Sequence, residues 1–392
     1  MDAVFIGLGS MLGAGVFAAF TPAAQAAGSG LLIGLVVAAV VAFCNATSSA
    51  QLAAVYPTSG GTYVYGRERL GEWWGFVAGW GFVVGKTASC AAMALTFAAY
   101  AVPVEWEKQF AIAAVLVIGG VNYLGVSKTA VVTRVLVVMV GVALTLGVVG
   151  NVSSGVELDG LDLLSAGPYG ILQSAGLLFF AFAGYARIAT MGEEVRDPKR
   201  TIPRAIVLSL GIVVVVYAIV AVALLGALGP TALATAVTPL AVGPFADFVR
   251  FGAAAAALGA LLGLMAGIGR TTLAMARERD LPHSLAAVHP RFRVPHRAEI
   301  VLTLVIVAVV LAADVRGAIG FSSFGVLVYY FVANAAAFTQ GVDARRYPRA
   351  VQVVGAVLCV VLVVTLPVPS ILGGVAVILA GIVYRAIRLR GR

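Results

Sequence analysis

The stretch IGLGSMLGAGVF, residues 6–17, places four glycines within twelve positions of an otherwise apolar segment. Glycine lowers helix propensity by about 1 kcal/mol relative to alanine, and an unpaired backbone group is costly inside a lipid bilayer. This stretch therefore indicates either an interrupted membrane helix or a helix that packs closely on a neighbour. Gly9 and Gly13 form a GxxxG pair, which is typical of helix packing, so the motif alone leaves both interpretations open.

The composition of the whole chain indicates a membrane protein. Hydrophobic residues make up 61% of the 392 residues and charged residues 11%, and the mean hydropathy is +1.04. Because a span needs roughly 20 apolar residues, the apolar runs predict about twelve transmembrane helices in an all-α polytopic fold. We place these helices near residues 3–27, 30–54, 73–101, 109–125, 129–150, 169–192, 204–227, 246–275, 298–315, 319–340, 349–366 and 369–387.

The distribution of charge predicts the orientation in the membrane. Basic residues collect on alternate connections, including Arg67, residues 196–204, residues 270–297 and residues 385–392, whereas acids such as Glu157 lie on the others. Positive residues favour the cytoplasmic side, so we expect both termini in the cytoplasm of a plasma-membrane protein, and no nucleic-acid partner. The opening MDAVF has no basic region and no cleavage site, so the first run is predicted to be a retained span and not a signal peptide.

A second irregular segment lies in the sixth predicted span. In FFAFAGYAR, residues 179–187, Gly184 is followed by the polar Tyr185 and the charged Arg187. Interrupted helices in spans 1 and 6 occupy corresponding positions of two halves, which is typical of transporters that are built from inverted repeats and bind substrate between them. We expect the first helix to open at Gly13 to Gly15.

Two connections carry further signals. Residues 57–80, PTSGGTYVYGRERLGEWWGFVAGW, predict a short gate-like helix on the cytoplasmic side, with an ordinary amphipathic loop as the alternative. Residues 276–299 contain His283, His289 and His296 at spacings that fit no usual zinc pattern. We therefore expect solvated histidines and no metal site, and because no catalytic cluster lies at membrane depth, we expect no enzyme.

The motifs occur in an order that resembles the amino acid–polyamine–organocation (APC) superfamily of secondary transporters. The matching segments are GSMLGAGVF at 9–17, YPTSGGTYVYGRERLG at 56–71, NYLGVSKT at 122–129, FFAFAGYARIATMGEEVRDPKRTIPRAI at 179–206 and GRTTLAMARERDLP at 269–282. The resemblance implies a LeuT-like fold within a single transmembrane domain, residues 1–392. Residues 1–150 and 169–340 would form two inverted repeats of five helices, and residues 349–387 helices 11 and 12.

The resemblance also implies where the substrate binds. Backbone amides around Ala14 and Gly15 would hold the substrate carboxylate, and carbonyls freed by the interruptions would hold its ammonium group. The implied substrate-binding residues are Met11, Gly13, Ala14, Gly15, Phe180, Phe182, Ala183 and Gly184. Phe182 is the implied aromatic lid, although packing in the core also explains it.

Small residues near the implied site bear on the class of substrate. Some relatives carry an acid two positions after the span 6 glycine, where this chain has Ala186, and Ala14, Ala181 and Ala183 are small and uncharged. A neutral amino acid is therefore favoured over a cationic one. The alternatives are an exporter or exchanger, a carrier of acidic amino acids, polyamines or other organic cations, and, more remotely, a multispan enzyme. A monomer and a homodimer both fit the sequence.

The coupling ion depends on two positions. Many relatives use sodium or a span 5 lysine, but the matching position here lies near Val140, which cannot ionise. Lys86 lies near the middle of span 3, where a charged residue marks a functional site by default. It is a candidate for proton coupling, for a static bond to helix carbonyls or for a counter-charge to an acidic substrate. We expect H+ before Na+ as the coupling ion, and no cofactor.

Charged residues at the end of span 6 suggest a gate. Arg187 lies three residues after Gly184, and Glu193 and Glu194 follow it. These residues are predicted to stabilise a cytoplasmic gate through salt bridges, with structural pairing of Arg187 at least as well supported as substrate contact.

Overall fold

A computed structural model describes residues 2–57, 60–125, 130–153, 155–189, 195 and 197–390 of the chain. Within these residues all regular structure is helical and no strand occurs. Eight helical segments of the described chain are long and apolar enough to cross a membrane, and shorter apolar helices accompany them. The chain is therefore an all-α polytopic membrane protein, as the sequence predicts.

The helices follow the predicted segments closely. They are α1 Asp2–Met11, α2 Ala14–Ala18, α3 Phe20–Ala27, α4 Leu31–Val55, α5 Thr62–Leu70, α6 Glu72–Ala101, α7 Glu107–Tyr123, α8 Ala130–Val152, α9 Gly167–Phe182, α10 Ala186–Ala189, α11 Pro198–Thr235, α12 Ala246–Arg277, α13 His296–Ala312, α14 Val315–Phe338, α15 Arg349–Thr365 and α16 Val368–Arg390. Each predicted span contains at least one helix. The number of crossings and the two inverted repeats remain predictions.

The first predicted span is interrupted, but slightly earlier than the sequence suggests. α1 ends at Met11, Gly13 has a non-helical ψ of −139°, and α2 begins at Ala14. Ala19 then keeps helical angles and accepts a hydrogen bond from the Ala23 N–H, so one helical run extends from Ala14 to Ala27. The opening therefore covers residues 12–13, and Gly15 already belongs to the helix that follows.

The interruption in the sixth span is milder. α9 ends at Phe182, residues Ala183–Tyr185 form a 3₁₀ turn, and α10 resumes at Ala186. A 3₁₀ turn inside a helix leaves backbone groups with altered partners and often marks a functional hinge.

Two glycines allow the interrupted helices to touch. A Cβ on Gly184 would contact the Ser10 carbonyl and lie 2.8 Å from the Met11 nitrogen, so the second interruption packs directly on the end of α1. A Cβ on Gly15 would lie 2.7 Å from the Ala181 Cα, which brings the start of α2 against α9. Neither position has room for a side chain, and close packing therefore explains both glycines.

One end of the bundle carries most of the arginines, and we call it the basic end. The predicted gate-like helix is present there as α5, and its role as a gate stays a prediction. Arg67 of α5 forms an ion pair with Asp280 at 3.1 Å, and Arg385 of α16 pairs with Asp280 at 3.2 Å and with Glu72 at 3.3 Å. This cluster connects α5, α6, α16 and the end of α12.

Tyr63 completes the cluster. Its hydroxyl donates a hydrogen bond to Asp280 Oδ2 at 2.8 Å. Burial and the neighbouring Asp280 carboxylate raise the pKa of Tyr63 well above its usual range. Tyr63 therefore keeps its proton, and with it this hydrogen bond, at physiological pH.

The three histidines do not behave alike. His283 is exposed, as predicted. The expectation of solvated side chains is wrong for the other two, because His289 and His296 are half-buried and their rings lie 5.4 Å apart beside Tyr123. His289 Nδ1 accepts hydrogen bonds from two backbone N–H groups of its own loop. The described residues include no group of three or more possible metal ligands.

Candidate functional site

The two interruptions meet at a cavity of about 390 Å³. It is lined by α1, α2, α6, α7, α8, α9, α10 and α12 and by the turn at Ala183–Tyr185. The lining reaches Arg270, which is exposed at the basic end of α12. A volume of a few hundred Å³ is typical of a site for a small molecule. The cavity thus joins the interruptions to the surface at the basic end.

Most of the predicted site residues line this one cavity. They are Met11, Gly13, Ala14, Gly15, Lys86, Phe180, Ala183, Gly184 and Arg187. Residues from three distant parts of the chain are therefore brought together in one cavity wall, and their roles stay predictions. Glu193 and Glu194 lie outside the described residues. Their predicted part in a gate stays a prediction.

The two phenylalanines of span 6 occupy different places. Phe182, the implied lid, is fully buried in the core and is not part of the cavity wall; its ring packs on Tyr217 with centroids 4.9 Å apart. Phe180 does line the cavity and also joins a small apolar cluster with Leu177 and Ile319. In this conformation Phe180 is better placed than Phe182 to close the site.

Aromatic residues pack tightly around α2 and α3, near the end of α6 that lies opposite the basic end. The Tyr100 hydroxyl donates to the Phe17 carbonyl at 3.2 Å, and the two rings pack edge to face with centroids 5.6 Å apart. Phe20 packs on Tyr217 in the same manner at 6.3 Å. All four side chains are at most 3% exposed. None of these four side chains lines the cavity, whose lining reaches the surface at the basic end.

Tyr217 of α11 is the residue that sequence reasoning missed. Its hydroxyl lies 2.5 Å from the Met11 carbonyl oxygen and 3.0 Å from the Ala181 carbonyl oxygen, so one side chain spans both interrupted helices. Since a hydroxyl has one proton, it donates to only one carbonyl at a time. The only signal in the sequence is a single polar group within the apolar run VVVVYAIV, residues 213–220.

Lys86 lies in the cavity wall on α6. Its side chain is buried, with the residue 5% exposed, and its Nζ donates to the Ala183 carbonyl oxygen at 3.1 Å. Ala183 precedes Gly184, where the two interruptions touch. The ammonium group therefore sits at the junction of the interrupted helices, on a carbonyl that the sequence assigns to the substrate ammonium.

The charge of the cavity wall has one sign. Its ionisable side chains among the described residues are Lys86, Arg187 and Arg270, and none of the described lining residues is a carboxylate. Val140, at the expected position of a coupling lysine, lines the wall with an apolar side chain, and so does Ala186. The described wall therefore combines basic side chains with apolar and small polar ones.

Similarity to known proteins identifies the family. Residues 1–385 match the family model described as amino acid permease. An uncharacterized transporter of Mycobacterium tuberculosis is 59% identical over 397 aligned positions, covering 99% of this chain and 90% of the relative. The branched-chain amino acid permease BcaP of Bacillus subtilis is 25% identical, covering 76% of this chain and 70% of the relative.

A plant protein is also similar. Cationic amino acid transporter 7 of Arabidopsis thaliana is 27% identical, covering 88% of this chain and 65% of the relative. The chain belongs to the amino acid permease family, in agreement with the APC resemblance. It is a multi-pass membrane transporter of a small molecule and not an enzyme.

Proposed function

We propose that the protein is a secondary active transporter of an amino acid that works by alternating access in the plasma membrane, with both termini in the cytoplasm. One observation carries the proposal. The interruptions of two helices touch at Gly184 and Ser10, and both line the same cavity. Interrupted helices facing a cavity at membrane depth are the usual substrate site of such carriers.

The substrate head group would bind at this junction. Backbone amides at the start of the helical run from Ala14 would face the substrate carboxylate, with the positive end of that run behind them. Carbonyl oxygens of the interruptions would accept from the ammonium group. Lys86 holds the Ala183 oxygen and Tyr217 contacts the Met11 oxygen, so the substrate would either replace these contacts or use the Phe180 carbonyl.

The conformation of the cavity supports alternating access. The cavity connects with the basic end, and with that end in the cytoplasm it would face inward while the aromatic residues close the outer side. We propose H+ before Na+ as the coupling ion, because Lys86 is an ionisable group buried in the cavity wall, whereas Val140, at the place where many relatives carry a lysine, cannot take part. An amino acid with a cationic side chain is disfavoured by the charge of the wall.

Counterflow in proteoliposomes tests this proposal. Purified protein would be reconstituted in vesicles that are preloaded in turn with each of the twenty amino acids and with common polyamines, and uptake of the labelled compound would be measured with pH and sodium varied. We expect at least one amino acid to support counterflow and a pH gradient to drive its accumulation. The proposal fails if no amino acid exchanges while protein-dependent transport of another compound is detected, or if none is transported at all.

A further inference from the structure

The Lys86 ammonium group has more N–H donors than its described surroundings have acceptors for them. A lysine ammonium group offers three N–H donors, and in the described structure its Nζ bonds one acceptor, the Ala183 carbonyl oxygen. The residue is 5% exposed, so bulk water replaces few of the missing partners. A buried charge without a counter-ion is costly, which makes this position hard to explain by packing alone.

No described carboxylate neutralises Lys86. Cys90 lies one turn further along α6, and a buried thiol is no counter-ion. Glu299 of α13 is a buried acid, but it lies against Gly269 beside Arg270 and forms no described salt bridge with Lys86. The positive charge therefore faces the cavity, whose described wall contains no acid.

The position of Lys86 relates it to the substrate. Its Nζ reaches Ala183, the neighbour of the glycine at which the two interruptions touch. Both the proposed head-group site at Ala14 and the Lys86 side chain line the same cavity, with the small residues Ala181 and Ala186 beside them. A substrate held by its head group at the interruptions would have room to direct a side chain toward Lys86.

We propose that Lys86 binds a second, side-chain carboxylate of the substrate, so that the transported compound is an acidic amino acid of the aspartate or glutamate class. This inference rests on the proposed function. An acidic amino acid carries one net negative charge, which the single buried ammonium neutralises. A neutral amino acid would leave Lys86 without a counter-ion, and a cationic one would place two positive charges together.

The isosteric pair glutamate and glutamine tests the inference, because the two compounds differ by one charge at nearly constant shape. Counterflow and the substrate-induced rise in melting temperature would be measured for both, and for aspartate and asparagine. We expect the wild type to prefer glutamate over glutamine at least about tenfold. We expect Lys86→Met to remove that preference, a loss of at least about tenfold, as for the loss of one partner of a buried charge pair.

Lys108 provides a matched control. Its Nζ also donates to one carbonyl oxygen, that of Leu311, at 3.1 Å, but it is exposed and lies outside the cavity. Lys108→Met should leave the preference unchanged, and Lys86→Arg, which keeps the charge, should retain part of it. If Lys86→Met does not fold, Lys86→Gln and the wild-type comparison still decide the question.

The outcomes separate this inference from the proposed function. Transport of glutamine or leucine without transport of glutamate would overturn the acidic substrate and leave an amino acid carrier. An equal glutamate preference in the wild type and in Lys86→Met would overturn the role of Lys86. Counterflow by no amino acid would instead overturn the proposed function itself.

Discussion

At the scale of single residues, Gly184 decides whether the two interrupted helices can touch. A methyl group there would meet backbone atoms of Ser10 and Met11, which cannot move aside as a flexible side chain can. We expect Gly184→Ala to abolish transport and to lower the free energy of unfolding by about 1–3 kcal/mol, as overpacking does. Counterflow and thermal unfolding in detergent would measure the two effects.

Gly211 of α11 is the control for this substitution, because a Cβ there would meet no atom within 4 Å. Gly211→Ala should leave transport unchanged and preserve or raise stability through better helix propensity. Normal transport by Gly184→Ala would show that the contact between the interruptions is not required.

A second residue-scale prediction concerns Tyr217. Removal of its hydroxyl by Tyr217→Phe keeps the ring packing but takes a partner from the carbonyls of Met11 and Ala181. We expect a loss of about 1–3 kcal/mol in the free energy of unfolding and slower transport. Tyr169 is 53% exposed, so Tyr169→Phe should change neither quantity. An unaltered melting temperature for Tyr217→Phe would contradict the bridging role.

The site was predictable from sequence only in part. Gly184 and Gly13 stand out because glycine weakens a helix where the membrane demands one, and that signal is local. Tyr217 and the Ala183 acceptor of Lys86 depend on contacts between residues that are 36 or more positions apart. Such contacts are set by how the helices pack, which no local pattern records.

At the scale of elements, the basic-end cluster depends on one carboxylate. Asp280 is 4% exposed and pairs with Arg67 and Arg385 from two different helices. We expect Asp280→Asn to lower the free energy of unfolding by about 3 kcal/mol, because it removes the one buried carboxylate of the cluster and leaves the buried Arg385 with the exposed Glu72 as its remaining acid. Thermal unfolding of the purified protein would measure the loss.

Asp343 supplies the comparison, because it is exposed. Asp343→Asn should shift the melting temperature little. Equal stability of Asp280→Asn and the wild type would mean that Glu72 alone satisfies Arg385 and that the cluster does not hold these helices together.

Helix positions were predicted well because apolar runs bounded by polar residues carry that information directly. The ends were less predictable. The seventh segment, expected at 204–227, forms a helix over Pro198–Thr235 that continues through a kink at Gly229, where φ is 69°. Apolar composition does not reveal how far a helix continues beyond the membrane, and the kink follows from a positive φ that glycine alone adopts easily.

At the scale of the whole molecule, the cavity is expected to be accessible to solutes from one side of the membrane only. Gly263 of α12 lines it with no atom within 4 Å of a new Cβ, and the described cysteines Cys44, Cys90 and Cys359 are all buried. We expect Gly263→Cys to react with a membrane-impermeant maleimide from the cytoplasmic side, and bound substrate to slow this reaction. Labelling of the buried native cysteines should be low.

Val104, which is 65% exposed near the opposite end, is the control for sidedness. Val104→Cys should react from the extracellular side only. If Gly263→Cys is labelled faster from outside while Val104→Cys is also labelled from outside, the cavity does not face inward. If Gly263→Cys is labelled from outside and Val104→Cys from inside, the predicted orientation of the whole protein is inverted.

The link between Arg385 and the first half of the chain has a consequence for biosynthesis. Glu72 and Asp280 are synthesised well before α16. Arg385 follows Asp280 by about a hundred residues, which takes about 5–20 s to translate. Until then Arg67 is the basic partner of Asp280 within the cluster. Arg67 can already pair with both acids at that stage, so the final helix adds a second basic group, Arg385, to a cluster that is partly formed before it is synthesised.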